Sequence, residues 1–121
     1  MTCVSRNLKE RTEQLFNLDA EIEVVPNFFE PKPFTRSRED IRASLDVGDG
    51  VLAIHASNLR SIKRIDLMLD ALKEAISRCD ANLLIMAGAE VSRIQPEIKK
   101  RDLESHVRIV DDVYEIDNYY A

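Results

Sequence analysis

The chain has 121 residues, of which 45% are hydrophobic and 32% are charged, as in a small globular domain with its own core. Its formal charge of −5 argues against a nucleic-acid partner, because phosphate backbones favour a basic protein surface. The longest apolar runs are too short to span a bilayer, and residues 1–8 do not have the apolar segment of a signal peptide. These features predict a soluble cytoplasmic protein without a stable membrane span.

In chain order, the pattern predicts an amphipathic helix, a strand, a short helix capped by Ser37 and Asp40, and then alternating strands and helices. The ranges are Ser5–Phe16, Ile22–Val25, Ser37–Leu45, Gly50–His55, Ile65–Ile76, Asn82–Ala87, Glu90–Leu103 and His106–Val110, with a further helix starting in Tyr114–Ala121. Ser5 is the expected N-cap of the first helix. Alternating strands and helices favour a parallel βαβ arrangement, so the predicted fold is α/β with a Rossmann-like parallel sheet.

Residues 26–34 contain three prolines and three aromatic residues, a composition too rigid for a helix and too apolar for a free linker. We expect an ordered crossing between two units, with its aromatic side chains packed. Four strands, one of them beyond this crossing, are few for a complete enzyme domain. The sequence therefore predicts that this chain is part of a longer protein.

A basic loop follows the second predicted strand and opens the helix with the clearest apolar stripe. It contains Arg60, Lys63 and Arg64 in an otherwise acidic chain. In open α/β sheets, ligands bind outside the carboxyl ends of the strands. Cations at a helix N-terminus oppose the helix dipole, and a bound phosphate would compensate for them. A solvated basic loop explains the spacing equally well.

Residues 55–72, HASNLRSIKRIDLMLDAL, resemble the loop and helix that open the C-terminal domain of family-4 retaining glycosyltransferases, which have the GT-B fold. Most members carry Gly-Arg-Leu and then Lys-Gly; here Ser57-Asn58-Leu59 and Lys63-Arg64 stand at those positions. The segments TCVSRNLKERTEQLF, IEVVPNFFE, LLIMAGAE and HVRIVDDVYEIDNYYA are also similar to family segments. The resemblance thus covers nearly the whole chain.

The resemblance implies that Lys63 contacts the diphosphate of a UDP-sugar. Asn58 replaces the family's phosphate-binding arginine, so Arg60 is expected to take that role, with Ser57 and Arg64 beside it. These cations would neutralise the UDP leaving group as the glycosidic bond breaks. No metal or other cofactor is expected, and the separated Cys3 and Cys79 predict two reduced thiols.

The resemblance also places a nucleobase-contacting segment at Val110, Asp111 and Val113, although a surface turn at Asp111-Asp112 fits the sequence as well. Gly88 would shape the pocket floor or would simply be a turn glycine. His55 would line the site or pack at its strand end.

By the same resemblance, residues 1–26 end an N-terminal domain, residues 27–36 cross between domains, and residues 37–121 form the front half of the nucleotide-sugar-binding domain. The most similar subfamily transfers N-acetylglucosamine from UDP-GlcNAc to L-malate in bacterial bacillithiol biosynthesis. The expected partners are therefore a UDP-sugar donor and a small hydroxy-acid acceptor. The chain alone is expected to be inactive, because the family's paired-glutamate segment would follow Ala121.

Two alternatives remain open: a family-4 enzyme with another donor or acceptor, acting in cell-wall or polysaccharide synthesis, and a stand-alone Rossmann-like binding module. An exposed sheet edge also predicts a homodimer or a domain-swapped dimer. In that dimer either Ile22–Phe34 or the aromatic residues Tyr114, Tyr119 and Tyr120 would cover the edge.

Overall fold

The computed structural model describes residues 1–17, 20–88, 91–111 and 115–120, which form two compact units, residues 1–32 and 33–121. In the first unit, β1 (Thr2–Cys3) pairs in parallel with β2 (Glu23–Val24), and α1 (Arg6–Phe16) connects them. The predicted N-cap is confirmed, because Ser5 Oγ accepts a hydrogen bond from the backbone N–H of Leu8 at 3.1 Å. The two-residue strand β1 was not predicted, since it is too short to show alternation.

The predicted packing of the aromatic residues in the crossing is wrong. Phe28, Phe29 and Phe34 are 90%, 80% and 58% exposed. No residue of α1 is buried either. The apolar composition of residues 26–34 therefore predicted more burial of their aromatic side chains than the structure has.

The second unit contains a parallel sheet with the strand order β3-β4-β5, formed by Val51–Ala56, Ala81–Ala87 and Val107–Asp111. The crossover helices are α3 (Ile65–Ile76) and α4 (Val91–Lys99). All seven residues of the central strand β4 are buried, as its continuous apolar sequence predicts for a strand covered on both faces. The predicted α/β fold with a Rossmann-like parallel sheet is confirmed.

Each face of this sheet has its own core. On one face, α3 and α4 pack Leu69, Leu72, Ile94 and Ile98 against the odd-numbered apolar residues of β4. On the other face, α2 (Arg38–Ser44) and the residue after it contribute Ile41 and Leu45, which pack with Leu84 and Met86. The alternation of β4 side chains between the two cores fixes the strand register.

The ends of the short elements are set by side chains. Ser37 and Asp40 form the predicted capping box of α2. Helix α4 continues through Pro96 to Lys99 and ends before the predicted Leu103, and Glu90 lies outside the described residues. Near the end of the chain, a 3₁₀ helix spans Ile116–Tyr120. Its buried Asn118 accepts a hydrogen bond from the backbone N–H of Thr35 at 2.8 Å.

Candidate functional site

The candidate site is the loop between β3 and α3. His55 Nε2 lies 2.7 Å from Ser57 Oγ, which also accepts a hydrogen bond from the backbone N–H of Leu59 at 3.2 Å. Leu59 adopts a positive φ of 53° and is buried in the α3/α4 core. The start of the loop is therefore held by Ser57 and Leu59, whereas Asn58 and Arg60 are exposed.

Arg60 and Lys63 are the two exposed cations at the centre of this loop. With its amide oxygen facing Arg60, Asn58 accepts hydrogen bonds from Nε at 2.8 Å and from the terminal Nη2 at 3.0 Å. Lys63 belongs to a 3₁₀ turn, Ser61–Lys63, whose backbone N–H at Lys63 donates to the Arg60 carbonyl at 2.8 Å. Among the residues that the structure describes, neither cation forms an ion pair with a carboxylate. Both charges are thus available to an anionic ligand.

The positive charge of Lys63 acts electrostatically on the imidazole ring of His55. Partial burial lowers the pKa of His55 below 6.5, and the positive charge of Lys63 lowers it further. The neutral imidazole is therefore favoured, and its Nε2 can accept a hydrogen bond from the Ser57 hydroxyl. This arrangement leaves the oxygen of Ser57 free to accept from Leu59.

Arg64 differs from the other two cations because it is paired. Its Nε and Nη2 donate to the two carboxylate oxygens of Asp66 at 3.1 and 2.8 Å. These hydrogen bonds hold the pKa of Asp66 below its usual value. Arg64 also adopts a positive φ of 47° at the start of α3, without a side-chain cap. Asp66 occupies the first turn, where a negative charge complements the helix dipole.

A cavity of about 420 Å³ lies between this loop and the first turns of α3 and α4. The described residues that line it are Leu59, Arg60, Ser61, Arg64, Ile65, Asp66, Arg93 and Ile94. The structure thus brings Arg60 and Arg64 together at one cavity, whereas Lys63 lies outside this set and interacts with His55. Sequence reasoning missed Arg93, since only the packing of α4 brings it to the loop.

The other predicted site residues lie at the same end of the sheet. Met86 pairs with Ala56, and Ala87 pairs with Asp111, so Ser57, Gly88 and Asp111 lie along one carboxyl edge. Asp111 is the last residue of β5, and Asp112 lies outside the described residues, so the alternative of a turn at Asp111-Asp112 stays a prediction. Val110 packs partly into the α2-side core, and Val113 lies outside the described residues. Among the described residues, apart from Gly88 and its chain neighbours, no atom would lie within 4 Å of a Cβ placed on Gly88.

Within the described parts of the chain, no three His, Cys, Asp or Glu side chains cluster closely enough to hold a metal ion. Over the same residues, no helix has the length and apolarity needed to cross a membrane.

The parallel sheet, its crossover helices and the loop after its first strand define a Rossmann-like domain of the kind found in GT-B proteins. Two solved structures of TarM share the fold: one covers 98% of this chain with a TM-score of 0.67 and 17% identity. The other, an S. aureus TarM mutant in complex with fondaparinux, alpha-GlcNAc-glycerol and UDP, covers 94% with a TM-score of 0.66 and 18% identity. Each match spans 22% of the TarM chain.

Among curated proteins, the chain is similar to N-acetyl-alpha-D-glucosaminyl L-malate synthase from Bacillus anthracis, with 27% identity over 110 residues. These residues are 88% of this chain and 29% of that enzyme's length. No family model matches the chain. The resemblance to a glycosyltransferase, inferred from the loop and its flanking segments, is confirmed by this similarity.

Proposed function

We propose that this chain provides part of the donor site of a retaining glycosyltransferase, in which the loop after β3 binds the diphosphate of a UDP-sugar. The observation that carries the proposal is the pair of exposed cations, Arg60 and Lys63, at the carboxyl end of a strand in a parallel sheet. Within the described residues neither is neutralised by a carboxylate, although the chain carries a net charge of −5.

In this function the two cations stabilise the charge that develops on UDP as the bond to the sugar breaks. Arg60 is suited to a fixed role, because Asn58 orients its guanidinium. A guanidinium held in this way can donate two parallel hydrogen bonds to one phosphate. Lys63 supplies a second charge from the side of His55, so a diphosphate could bridge the two positions. Arg64, which is held by Asp66, contributes less charge to the ligand.

The proposed reaction is transfer of N-acetylglucosamine from UDP-GlcNAc to L-malate, in a bacterial cytoplasmic enzyme. The similarity to the Bacillus anthracis malate synthase supports this donor and acceptor. Because the chain spans 29% of that enzyme, we expect it to transfer no sugar by itself. We assign no residue in the described part of the chain to binding of the malate acceptor.

A second candidate is a transferase with a different acceptor, of the cell-wall or polysaccharide type. The observation that favours it is the fold match to TarM, which was solved with UDP and alpha-GlcNAc-glycerol. Both candidates use the loop after β3 in the same way. They differ in the acceptor, which a panel of acceptors tested with the full-length protein would distinguish.

Isothermal titration calorimetry with UDP at low salt tests the proposed donor site. We expect Lys63→Ala and Arg60→Ala each to weaken binding about tenfold or more, since a hydrogen bond to a charged group contributes roughly 1.5–3 kcal/mol. Lys100→Ala is the matched control, because Lys100 is exposed and directly follows the last residue of α4, at the end of that helix opposite to Arg93. Equal UDP affinity of the wild type and the three variants would show that the loop does not bind the donor. It would favour the alternative of a stand-alone Rossmann-like binding module.

A further inference from the structure

His55 and Ser57 form a hydrogen-bonded pair at the end of β3, beside the proposed diphosphate site. Nε2 of His55 lies 2.7 Å from Ser57 Oγ, and the backbone N–H of Leu59 donates to the same oxygen at 3.2 Å. A hydroxyl has one proton to donate and two lone pairs that accept. Because the bond from Leu59 uses one lone pair, the protonation state of His55 decides where the Ser57 hydroxyl proton points.

The two states of His55 use the hydroxyl in different ways. A neutral imidazole that carries its proton on Nδ1 accepts from Ser57 at Nε2, so the hydroxyl proton points at the ring. A protonated imidazole donates from Nε2, so Ser57 Oγ accepts from both His55 and Leu59. The hydroxyl proton is then free to bind another acceptor, and Ser57 is only half-buried. The heavy atoms can keep their positions in both states, because the same two contacts are made.

The surroundings of His55 favour its neutral state when no anion is bound. Partial burial and the positive charge of Lys63 both lower the pKa of the ring. The residue paired with His55 on β4 is the apolar Ile85. The other charged side chains in the described loop and in the first turns of α3 and α4 are Arg60, Arg64, Asp66 and Arg93. Arg64 and Asp66 are bonded to each other. An anion that offsets Lys63 would therefore remove one of the two causes that keep His55 neutral.

We propose that the loop after β3 takes up a proton on His55 when it binds a diphosphate, and that Ser57 then donates its hydroxyl proton to the ligand. The inference rests on the proposed function, because it requires the diphosphate to lie beside Arg60 and Lys63. The negative charge of the ligand offsets that of Lys63 and stabilises the imidazolium. The proton comes from solvent, and the bond from Ser57 to a phosphate oxygen is charge-assisted.

Proton uptake makes the affinity for the ligand depend on pH. If the diphosphate raises the pKa of His55, protonated His55 must bind the diphosphate more tightly by the same free energy. The affinity is therefore highest below the pKa of the ligand-free protein, which lies under 6.5. It falls as the pH rises through the interval between the ligand-free and the ligand-bound pKa, and is lowest above that interval.

Calorimetry with UDP-GlcNAc from about pH 5.5 to about pH 7.5 measures this coupling. Both phosphates of a UDP-sugar are esterified, whereas the terminal phosphate of UDP itself titrates near pH 6 and would confuse the result. We expect the dissociation constant to rise about threefold or more over this range, within the roughly tenfold per pH unit that one coupled proton allows. Inside the interval, the heat of binding should change with the ionisation enthalpy of the buffer, because the buffer supplies the proton.

The two histidines of the chain provide a matched pair of variants. His55→Gln places an uncharged amide near the position of Nε2 and should make the affinity independent of pH. His106 lies at the other end of the sheet, where its Nδ1 is 3.0 Å from the carbonyl oxygen of Ala81, the first residue of β4. His106→Asn can keep that contact and should show the pH dependence of the wild type.

An NMR titration of the wild-type imidazoles decides the proposal even if His55→Gln does not fold. We expect saturating UDP-GlcNAc to raise the pKa of His55, with the imidazole signals of His106 as the internal reference. Binding whose affinity does not change with pH, together with an unchanged His55 pKa, would overturn the proton coupling and leave the donor site intact. Absence of UDP-GlcNAc binding at every pH would contradict the donor site itself, and the coupling with it.

Discussion

Ser57 Oγ lies 2.7 Å from Nε2 of His55 and 3.2 Å from the backbone nitrogen of Leu59. One hydroxyl thus connects the end of β3 to the turn that presents Arg60. Leu59 has a positive φ and a buried side chain. The backbone before Arg60 is therefore fixed by the hydrogen bond from Leu59 to Ser57 and by the packing of the Leu59 side chain. The position of a charged side chain in the loop therefore depends on a neutral residue three positions earlier.

Replacing this hydroxyl should loosen the loop. We expect Ser57→Ala to lower the free energy of unfolding by about 1 kcal/mol, the usual net contribution of a hydrogen bond, and to weaken UDP binding. Urea denaturation and calorimetry measure the two effects. Ser105→Ala, at an exposed serine far from the loop, is the control and should leave both quantities unchanged.

The proximity of Lys63 to His55 can be measured through the histidine pKa. Because the positive charge of Lys63 lowers this pKa, Lys63→Ala should raise it toward 6.5. An NMR titration of the imidazole protons reports the change, and Lys100→Ala should not alter it. A pKa that is the same in Lys63→Ala and in the wild type would place the ammonium group away from the ring.

The lowered pKa of His55 also predicts how stability depends on pH. Since the folded pKa lies below the unfolded value of 6.5, the unfolded chain binds more protons between these two values. The contribution of His55 to stability is therefore present above pH 6.5 and is lost as the pH falls through this window. Urea unfolding of wild type and His55→Gln at several pH values should show a shallower acid loss in the variant; identical slopes would contradict the assignment.

Two glycines should respond oppositely to a methyl group. A Cβ on Gly50 would lie 2.5 Å from the backbone oxygen of Asp80, whose side chain is also too close. We expect Gly50→Ala to destabilise the fold by roughly 1–3 kcal/mol, the usual cost of overpacking. Gly88→Ala is the matched control, since a Cβ built there has no described residue within 4 Å apart from its chain neighbours. It should be close to neutral in the same thermal-unfolding experiment.

The sequence predicted the elements whose periodicity is strong. Strand β4 is continuously apolar because both of its faces are covered, and α3 repeats its apolar residues at helical spacing. The capping box at Ser37 and Asp40 is a local pattern that needs no tertiary information. The parallel arrangement follows from the order of these elements.

Tertiary contacts explain what the sequence did not predict. From their spacing alone, the three loop cations Arg60, Lys63 and Arg64 could not be told apart. In the structure Arg64 pairs with Asp66, and only Arg60 and Arg64 of the three line the cavity. Arg93 reaches this cavity only through the packing of α4 beside α3. The exposed Phe28 and Phe29 show that an apolar, proline-rich composition does not by itself predict burial of the aromatic rings.

An amide NMR titration of the isolated chain with UDP tests the central claim most directly, because it locates the ligand residue by residue. The account predicts saturable shifts centred on Ser57–Arg64, with smaller shifts when uridine, which has no phosphate, replaces UDP. Shifts confined to the cleft beside Ile41 and Tyr119, or equal shifts with uridine, would contradict a diphosphate site at the loop after β3.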